Sequence, residues 1–404
     1  MYLKLAWRNL WRNKRRTSIT MASVFFAVIL STLMMSIKEG TYVNMIQSMV
    51  GSYMGYAQIH ADGYWDDQNL DNSMVLNDTL IKIISSDSEI DGYVQRVETF
   101  SLAASKDVTK GAMVVGIDPV AEGKLMELDE RVVEGDYLEA EDKAVLLGAG
   151  LADFLELGVG DTIVLLGQGF HGVSAAGKYL VKGLIKFGSP ELSKHVIFLP
   201  LKEAQWLFGM ENRCTSVILL LRDPNAATDV TQQLAAHIDS RFEVMSWETL
   251  MPELINMIET DRVEGYVFMF ILYLVVSFGI FGTVLMMLAE RRHEFGVLVA
   301  IGMKRVQLAL VVWIEVIIIS ICGAFAGMIG ALPVCTYFYL RPVRFGEDIS
   351  KMVEDYGMEA VLQASIQPEI FVQQALIVTG IACFISIYPL IKVMHMSAIE
   401  AMRQ

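Results

Sequence analysis

Charge is in short supply in this chain. Only 19% of its 404 residues are Asp, Glu, Lys or Arg, against 54% hydrophobic residues and a mean hydropathy of +0.44. That balance excludes a disordered or collagen-like chain and is too apolar for an ordinary soluble domain of this size. Cysteine is scarce as well. Cys214, Cys322, Cys335 and Cys383 are too few and too uneven for a disulfide framework, and none stands in a CxxC pair, which argues against metal or thiol chemistry. Positive charge is in deficit: 32 basic against 46 acidic residues leave −14, which argues against non-specific binding to nucleic acid, where a basic face must displace counterions. The histidines at 60, 171, 195, 237, 293 and 395 are scattered, so no metal cluster is visible in the sequence.

What the chain does have is long apolar runs. A helix needs about 20 apolar residues to cross a bilayer, because hydrocarbon cannot satisfy a bare backbone. Residues 17–37 and 266–288 pass that test without a single charge. Residues 308–337 pass it with Glu315 inside and Pro333 near the far end, and residues 371–391 pass it with Pro389 near the exit. The first run is too long for a cleaved signal peptide and lacks a small-residue cleavage pattern, so it is expected to stay as an anchor. Loop charge sets the expected orientation, since basic residues near membrane ends stay in the cytoplasm. Residues 1–16, 289–307 and 392–404 together hold 12 basic and 3 acidic residues, whereas residues 38–264 hold 17 basic and 36 acidic. Both termini are therefore expected inside, with residues 38–264 forming an acidic outer domain and 338–370 a short outer connection. Residues 1–16 alternate Leu3, Leu5, Trp7, Leu10 and Trp11 with basic side chains, which suits a helix lying at the cytoplasmic headgroups.

The outer domain reads as mixed α/β. Strand-like runs occur at 93–102, 112–117, 162–166, 179–187, 196–199 and 215–221. Helices are expected from Asn77 or Asp78 to Ser86, from Gly148 to Leu157, and from Asp223–Pro224 to Ser240. At its borders, span one is expected to continue outward through Tyr42, Met45, Ile46 and Met49, and a helix of roughly 60 Å is expected from Trp247 to Leu288. Such stalks could transmit motion; holding the domain clear of lipid is the plainer role, and composition alone favours it.

Several local patterns invite a chemical reading. Gly172 to Lys178 copies the outline of a phosphate-binding loop, but Tyr179 replaces the Ser or Thr that would ligate magnesium and a strand follows, so a flexible hairpin loop is expected. No GxSxG elbow or plausible acid pair stands out. Asn77-Asp78-Thr79 fits a glycosylation sequon of a kind that is common by chance. Glu315 is costly inside hydrocarbon. A proton or ion relay and an interfacial ion pair with Arg291, Arg292 or Arg305 are both open, and the structural role is preferred. Gly323, Gly327 and Gly330 flatten one flank of span three for close helix packing.

Between spans two and three lies AERRHEFGVLVAIGMKRVQL, residues 289–308. Phe295, Val297, Leu298 and Ile301 make an amphipathic centre too short to span and too apolar to dangle in water, bracketed by Gly296 and Gly302 as turn or close-contact points. A cytoplasmic partner or a lipid surface could cover it. This segment resembles the ERRxEIGxLxAxGxxxxQ signature of FtsX/MacB-like ABC transporter permeases, through Glu290, Arg291, Arg292, Glu294, Phe295, Gly296, Leu298, Ala300, Gly302 and Gln307, with Phe295 in the usual Ile place. The opening LAWRNLWRNKRRT (5–17) is similar to that family's start, and Ile399 to Arg403 to its EALR ending, with Met402 in the usual Leu place. In the centre, GIDP at 116–119, LGAGLADFLELGVGDTIVLL at 147–166 and the run at 181–208 most resemble the lipoprotein-releasing, Lol-type branch.

The resemblance implies four spans, an extracytoplasmic domain with a porter-like α/β part and a β-rich part, and a dimer of permeases in the bacterial inner membrane. It also implies a separate ATPase docked on residues 289–307, which binds the ATP and magnesium; no cofactor is expected in this chain and no catalysis of its own. For the Lol-type branch the cargo is a lipoprotein entering between span one of one subunit and span two of the other. Met45, Met49, Ile258 and Phe268 are the candidate entrance residues, and Gln168, Gly169, Phe170 and His171, in the loop from 168 to 178, the candidate contact for a periplasmic chaperone. Export of a peptide or drug, or regulation of a cell-wall hydrolase, are the alternatives.

Overall fold

The computed structural model describes residues 2–12, 14–344 and 361–395. The closing motif at 399–403 and residues 345–360 of the outer connection lie outside the described residues. The chain divides into two units: Met1–Val43, Met257–Val343 and Val361–Gln404 form one, and Asn44–Asn256 with Arg344–Ala360 the other.

The first unit is helical. Among the described residues four helical stretches are long and apolar enough to cross a membrane: Thr17–Met54, Pro252–Glu290, Arg305–Leu340 and Pro368–Met394. A short amphipathic helix, Tyr2–Arg12, precedes them. The span-three helix, Arg305–Leu340, packs on span one through its glycines. A Cβ added at Gly323 would lie 2.9 Å from the Met21 carbonyl oxygen, and one at Gly327 2.8 Å from that of Phe25, so only glycine lets these backbones approach. Val24, Val28, Val284, Val316 and Val378 close the core of the bundle. Near its outer end, span one is tied to span two by Lys38 Nζ 2.9 Å from Asp261 Oδ2, by the Tyr42 hydroxyl donating to the same carboxylate, and by Arg262 at 3.3 Å from Glu39.

Two helical stretches are interrupted, each close to a proline. The helix expected from Trp247 to Leu288 is split at Met251 into Trp247–Leu250 and Pro252–Glu290. Met251 sits at φ −125° and ψ 60°, because the ring of a following proline pushes its predecessor out of the helical region. Span four is likewise two helices, Pro368–Ile385 and Ile387–Met394, meeting at buried Ser386. Pro389 has no N–H to give to the Ile385 carbonyl and its ring crowds that group.

The second unit carries the strands β1 (Ala57–Ala61), β2 (Ile90–Ala104), β3 (Thr109–Ile117), β4 (Val132–Gly135), β5 (Ala144–Gly148), β6 (Thr162–Gln168), β7 (Ser174–Ile185), β8 (Val196–Pro200), β9 (Ser216–Leu221) and β10 (Phe242–Ser246). They form one sheet in the order β10-β1-β9-β2-β3-β8-β5-β7-β4, with β6 pairing β2 and β7. The pairs β3–β8 and β5–β7 are parallel and the other pairs antiparallel. All six expected runs are strands. β1, β4, β5 and β10 were not foreseen; β5 is short, apolar throughout and buried at every residue, so it shows no alternation to read. In β8 the period of two divides the core: Ile197 and Leu199 join a cluster with Val114, Leu147 and Phe208, whereas Val196 and Phe198 join one with Val115, Leu146 and Phe187. Asn77 caps the helix Asp78–Ser86 by accepting from the Leu80 N–H at 2.8 Å, and Asp118 caps Pro119–Met126.

Span one passes into the second unit as a π-helix, Gln47–Met54, closed by Gly55 at φ 71° with its N–H donating to the Val50 carbonyl at 2.7 Å. This segment is held by Arg96, whose Nη1 donates to the Tyr53 carbonyl at 2.7 Å. The same guanidinium grips Glu122 in two bonds, at 2.6 and 3.0 Å. Burial opposes the charge on Arg96, but Glu122 outweighs it and raises its pKa.

Candidate coupling site

The site is built where the span-two helix ends. That helix stops at Glu290, Arg291 leaves the helical region at φ −100° and ψ 7°, and a nine-residue helix follows, Arg292–Ala300. Its exit is a Schellman turn. The Gly302 N–H donates to the Val299 carbonyl at 3.0 Å and the Met303 N–H to that of Leu298 at 3.1 Å. Gly302 adopts φ 108°, a conformation that L side chains resist, so glycine there has a backbone reason. Gly296 does not act as a turn: it lies inside the short helix and is buried.

The expected apolar centre divides between two sides. Phe295, 2% exposed, packs inward on Leu288, Leu308, Ala309, Val312 and Val393. Val297, Leu298 and Ile301 turn outward, with Ile301 79% exposed, and Ala300 is exposed beside them. Adjacent positions on a helix lie about 100° apart, so residues close in sequence can serve the core and the surface in turn.

Arg291 fixes this helix to span three. Its Nη1 donates to Glu315 Oε2 at 2.6 Å, its Nε donates to Glu294 Oε2 at 3.3 Å, and its guanidinium lies 5.1 Å from the Phe295 ring centroid. The Arg291 and Glu315 side chains are 6% and 2% exposed. Of the three arginines considered for Glu315, Arg291 makes this bond. Arg12 Nη2 extends the chain of charges outward by donating to Glu294 Oε2 at 2.7 Å. The sequence reading missed this link, although the amphipathic spacing of residues 1–16 already placed Arg12 at the same membrane surface. Glu290 ends the span-two helix, and Arg292 lines a groove described below.

The other candidate residues are distributed. Met45 and Met49 are half-buried, Met45 in the span-one helix and Met49 in the π-helix. Ile258 is 6% exposed and Phe268 58%, both on the span-two helix, so Phe268 presents its ring outward and Ile258 does not. Gln168 closes β6, and Gly169, Phe170 and His171 form the turn into β7. The expected loop from 168 to 178 is shorter than that, since Ser174 to Lys178 pair with β6 as part of β7, which also removes the phosphate-loop outline at 172–178. The turn is pinned: Phe170 N–H donates to the Phe208 carbonyl at 2.8 Å, His171 N–H to Asp71 Oδ1 at 2.6 Å, and Arg213 lies 4.8 Å over the Phe170 ring.

Comparison with known proteins bears on both units. Residues 266–398 match the model of the FtsX-like permease C-terminal domain, and residues 17–237 match that of the MacB-like periplasmic core domain. Among curated proteins, the lipoprotein-releasing system transmembrane protein LolC of Xylella fastidiosa (strain 9a5c) is 26% identical over 339 residues, 80% of each chain. LolC of Neisseria meningitidis serogroup B is 22% identical over 326 residues, covering 78% of this chain and 74% of that one. LolE of Haemophilus influenzae is 23% identical over 230 residues, 55% of each chain. Among solved structures, the periplasmic region of MacB from Actinobacillus actinomycetemcomitans covers 51% of this chain and 95% of that one at 15% identity and a TM-score of 0.35.

Proposed function

This chain belongs to the family of FtsX- and MacB-like ABC transporter permeases, and from that premise we propose that it couples a cytoplasmic ATPase to the movement of lipoprotein out of the inner membrane. It is a membrane component of such a transporter and an inner-membrane protein, similar over most of its length to lipoprotein-releasing permeases. The observation that carries the proposal is the division of labour in the helix Arg292–Ala300. Phe295 and Arg291 lock it to span three, while Val297, Leu298 and Ile301 are left facing outward as an apolar patch for a partner. A separate ATPase that binds ATP and magnesium docks there, and both termini share its side of the membrane, in keeping with the basic charge of residues 1–16 and 289–307. A second permease subunit completes the assembly. Cargo enters past Met45, Met49, Ile258 and Phe268, and the pinned turn at Gln168, Gly169, Phe170 and His171 offers the periplasmic chaperone contact.

The test is reconstitution of the chain with its cognate ATPase in lipid vesicles. Lipoprotein should stimulate ATP turnover and be released to a periplasmic acceptor. Drug- or peptide-dependent efflux without lipoprotein release would replace the cargo assignment, and activation of an outer hydrolase with no release would replace the transport role.

A further inference from the structure

Two grooves of the membrane unit meet at Tyr388 and Ile391. The first, of ≈590 Å³, has apolar walls including Leu285, Leu288 and Val393, and carries Arg292, Lys392 and His395 in its lining. The second, of ≈460 Å³, runs between span two and span four along Phe278, Phe281, Phe384 and Ile387. Among the described residues, none that lines either groove is an acid. Lys392 Nζ lies 3.4 Å from the Tyr388 hydroxyl and 5.5 Å from the centroid of its ring, which places the ammonium where the two grooves join.

From this juxtaposition we propose a binding site for one anionic phospholipid of the leaflet on the coupling-helix side, with its phosphate between Arg292, Lys392 and His395 and an acyl chain in the phenylalanine groove. Dimensions favour a lipid. From Phe278 to Ala289 the lining of span two rises about 17 Å at 1.5 Å per residue, close to the roughly 15 Å of one hydrocarbon leaflet. Chemistry favours it too: a cationic mouth attracts an anionic headgroup, and basic pockets between membrane helices suit such lipids. A water-soluble protein partner fits the mouth but has no means of following the grease-lined part to hydrocarbon depth. The site touches the coupling helix through Arg292 and Phe295, so an occupied groove would brace that helix from the side opposite to Ile301.

The experiment is native mass spectrometry of the full-length, detergent-purified chain titrated with phosphatidylglycerol and, separately, phosphatidylcholine with the same acyl chains. Phosphatidylglycerol should bind at least about tenfold more tightly, and Lys392→Gln should cut that preference about fivefold, the loss of one near-surface lysine. Phe384→Trp, which fills the groove without touching the mouth, should weaken both lipids alike. Equal affinity for the two lipids, or an unchanged preference in Lys392→Gln, would overturn the proposal. So would phosphatidylglycerol binding that appears only after copurified protein partners are stripped away, since a protein would then own the groove.

Discussion

Each unit of the chain buries an arginine–glutamate pair, and the two pairs are closed in different ways. Arg96 and Glu122 are 1% and 0% exposed, Arg96 also donates to the Tyr53 carbonyl, and its second acidic neighbour, Glu98 at 3.7 Å, is only 16% exposed, all inside one folded domain. Arg291 and Glu315 are nearly as deep, but Arg291 also reaches Glu294, which is 44% exposed and shared with Arg12 at the surface. The first is a sealed clamp on the π-helix. The second is a junction between a membrane span, the helix Arg292–Ala300 and the amphipathic helix Tyr2–Arg12. A buried ion pair is weak evidence of net stabilisation, because desolvation opposes the attraction. What it supplies in the membrane unit is position: the helix Arg292–Ala300 cannot swing without uncovering a charge.

The comparison breaks first if the two pairs respond alike. Removing one partner leaves the other buried and uncompensated, at a cost of about 3–5 kcal/mol. Arg291→Ala should therefore lower thermal stability in detergent sharply, and Arg291→Met with Glu315→Leu should restore stability without restoring ATP-driven transport. Arg96→Ala should lower stability by a similar amount, yet Arg96→Met with Glu122→Leu should restore both stability and transport if Arg96 is only a clamp. Restored transport in the first double variant would remove the distinction between the pairs.

A middle-sized effect is expected at Gly302, where a side chain must adopt φ 108° at a cost of about 1–3 kcal/mol. Gly302→Val should reduce ATPase binding more than it reduces membrane insertion, measured by copurification and by protease protection. Normal binding would show that the Schellman exit does not set the helix direction.

The outer unit also carries a titration. His60 is fully buried, donates through Nδ1 to the Thr215 carbonyl at 3.2 Å and stacks on Tyr64 at 5.2 Å. Burial lowers its pKa below the ordinary 6.5, so the folded state keeps it neutral while the unfolded chain takes up a proton as pH falls through 6.5. Its contribution is full above that pH and fades as pH falls toward its folded value. Scanning the melting temperature from pH 7.5 to 5 should show a loss that His60→Gln flattens; a parallel fall in the variant would assign the loss elsewhere. The smallest effect belongs to the exposed Arg12–Glu294 bridge, worth about 0.2–1 kcal/mol. Arg12→Gln should shift stability slightly, and less in high salt.

These differences mark how far residues alone could be followed. The four spans, the charge partition and the six strand runs follow from periods and compositions that one segment carries by itself. Pairing of Glu315 was narrowed to three arginines by depth in the membrane, but the choice of Arg291 depends on the chain leaving the helix at that residue. The breaks at Met251 and Ser386 were written in Pro252 and Pro389, and apolar continuity hid them. The Arg96–Glu122 clamp joins residues 26 positions apart on a strand and a helix, with no local pattern to announce it. Phe295 faces inward because Leu288 and Val393 cover it, and both neighbours lie outside residues 289–308.

The most direct measurement is copurification from native membranes of the wild-type chain and of a Leu298→Asp, Ile301→Asp variant, followed by identification of bound proteins. An ATPase that accompanies the wild type and is lost from the folded, membrane-inserted variant is the predicted result. An ATPase retained at wild-type levels by the variant would contradict the assignment of this outward face.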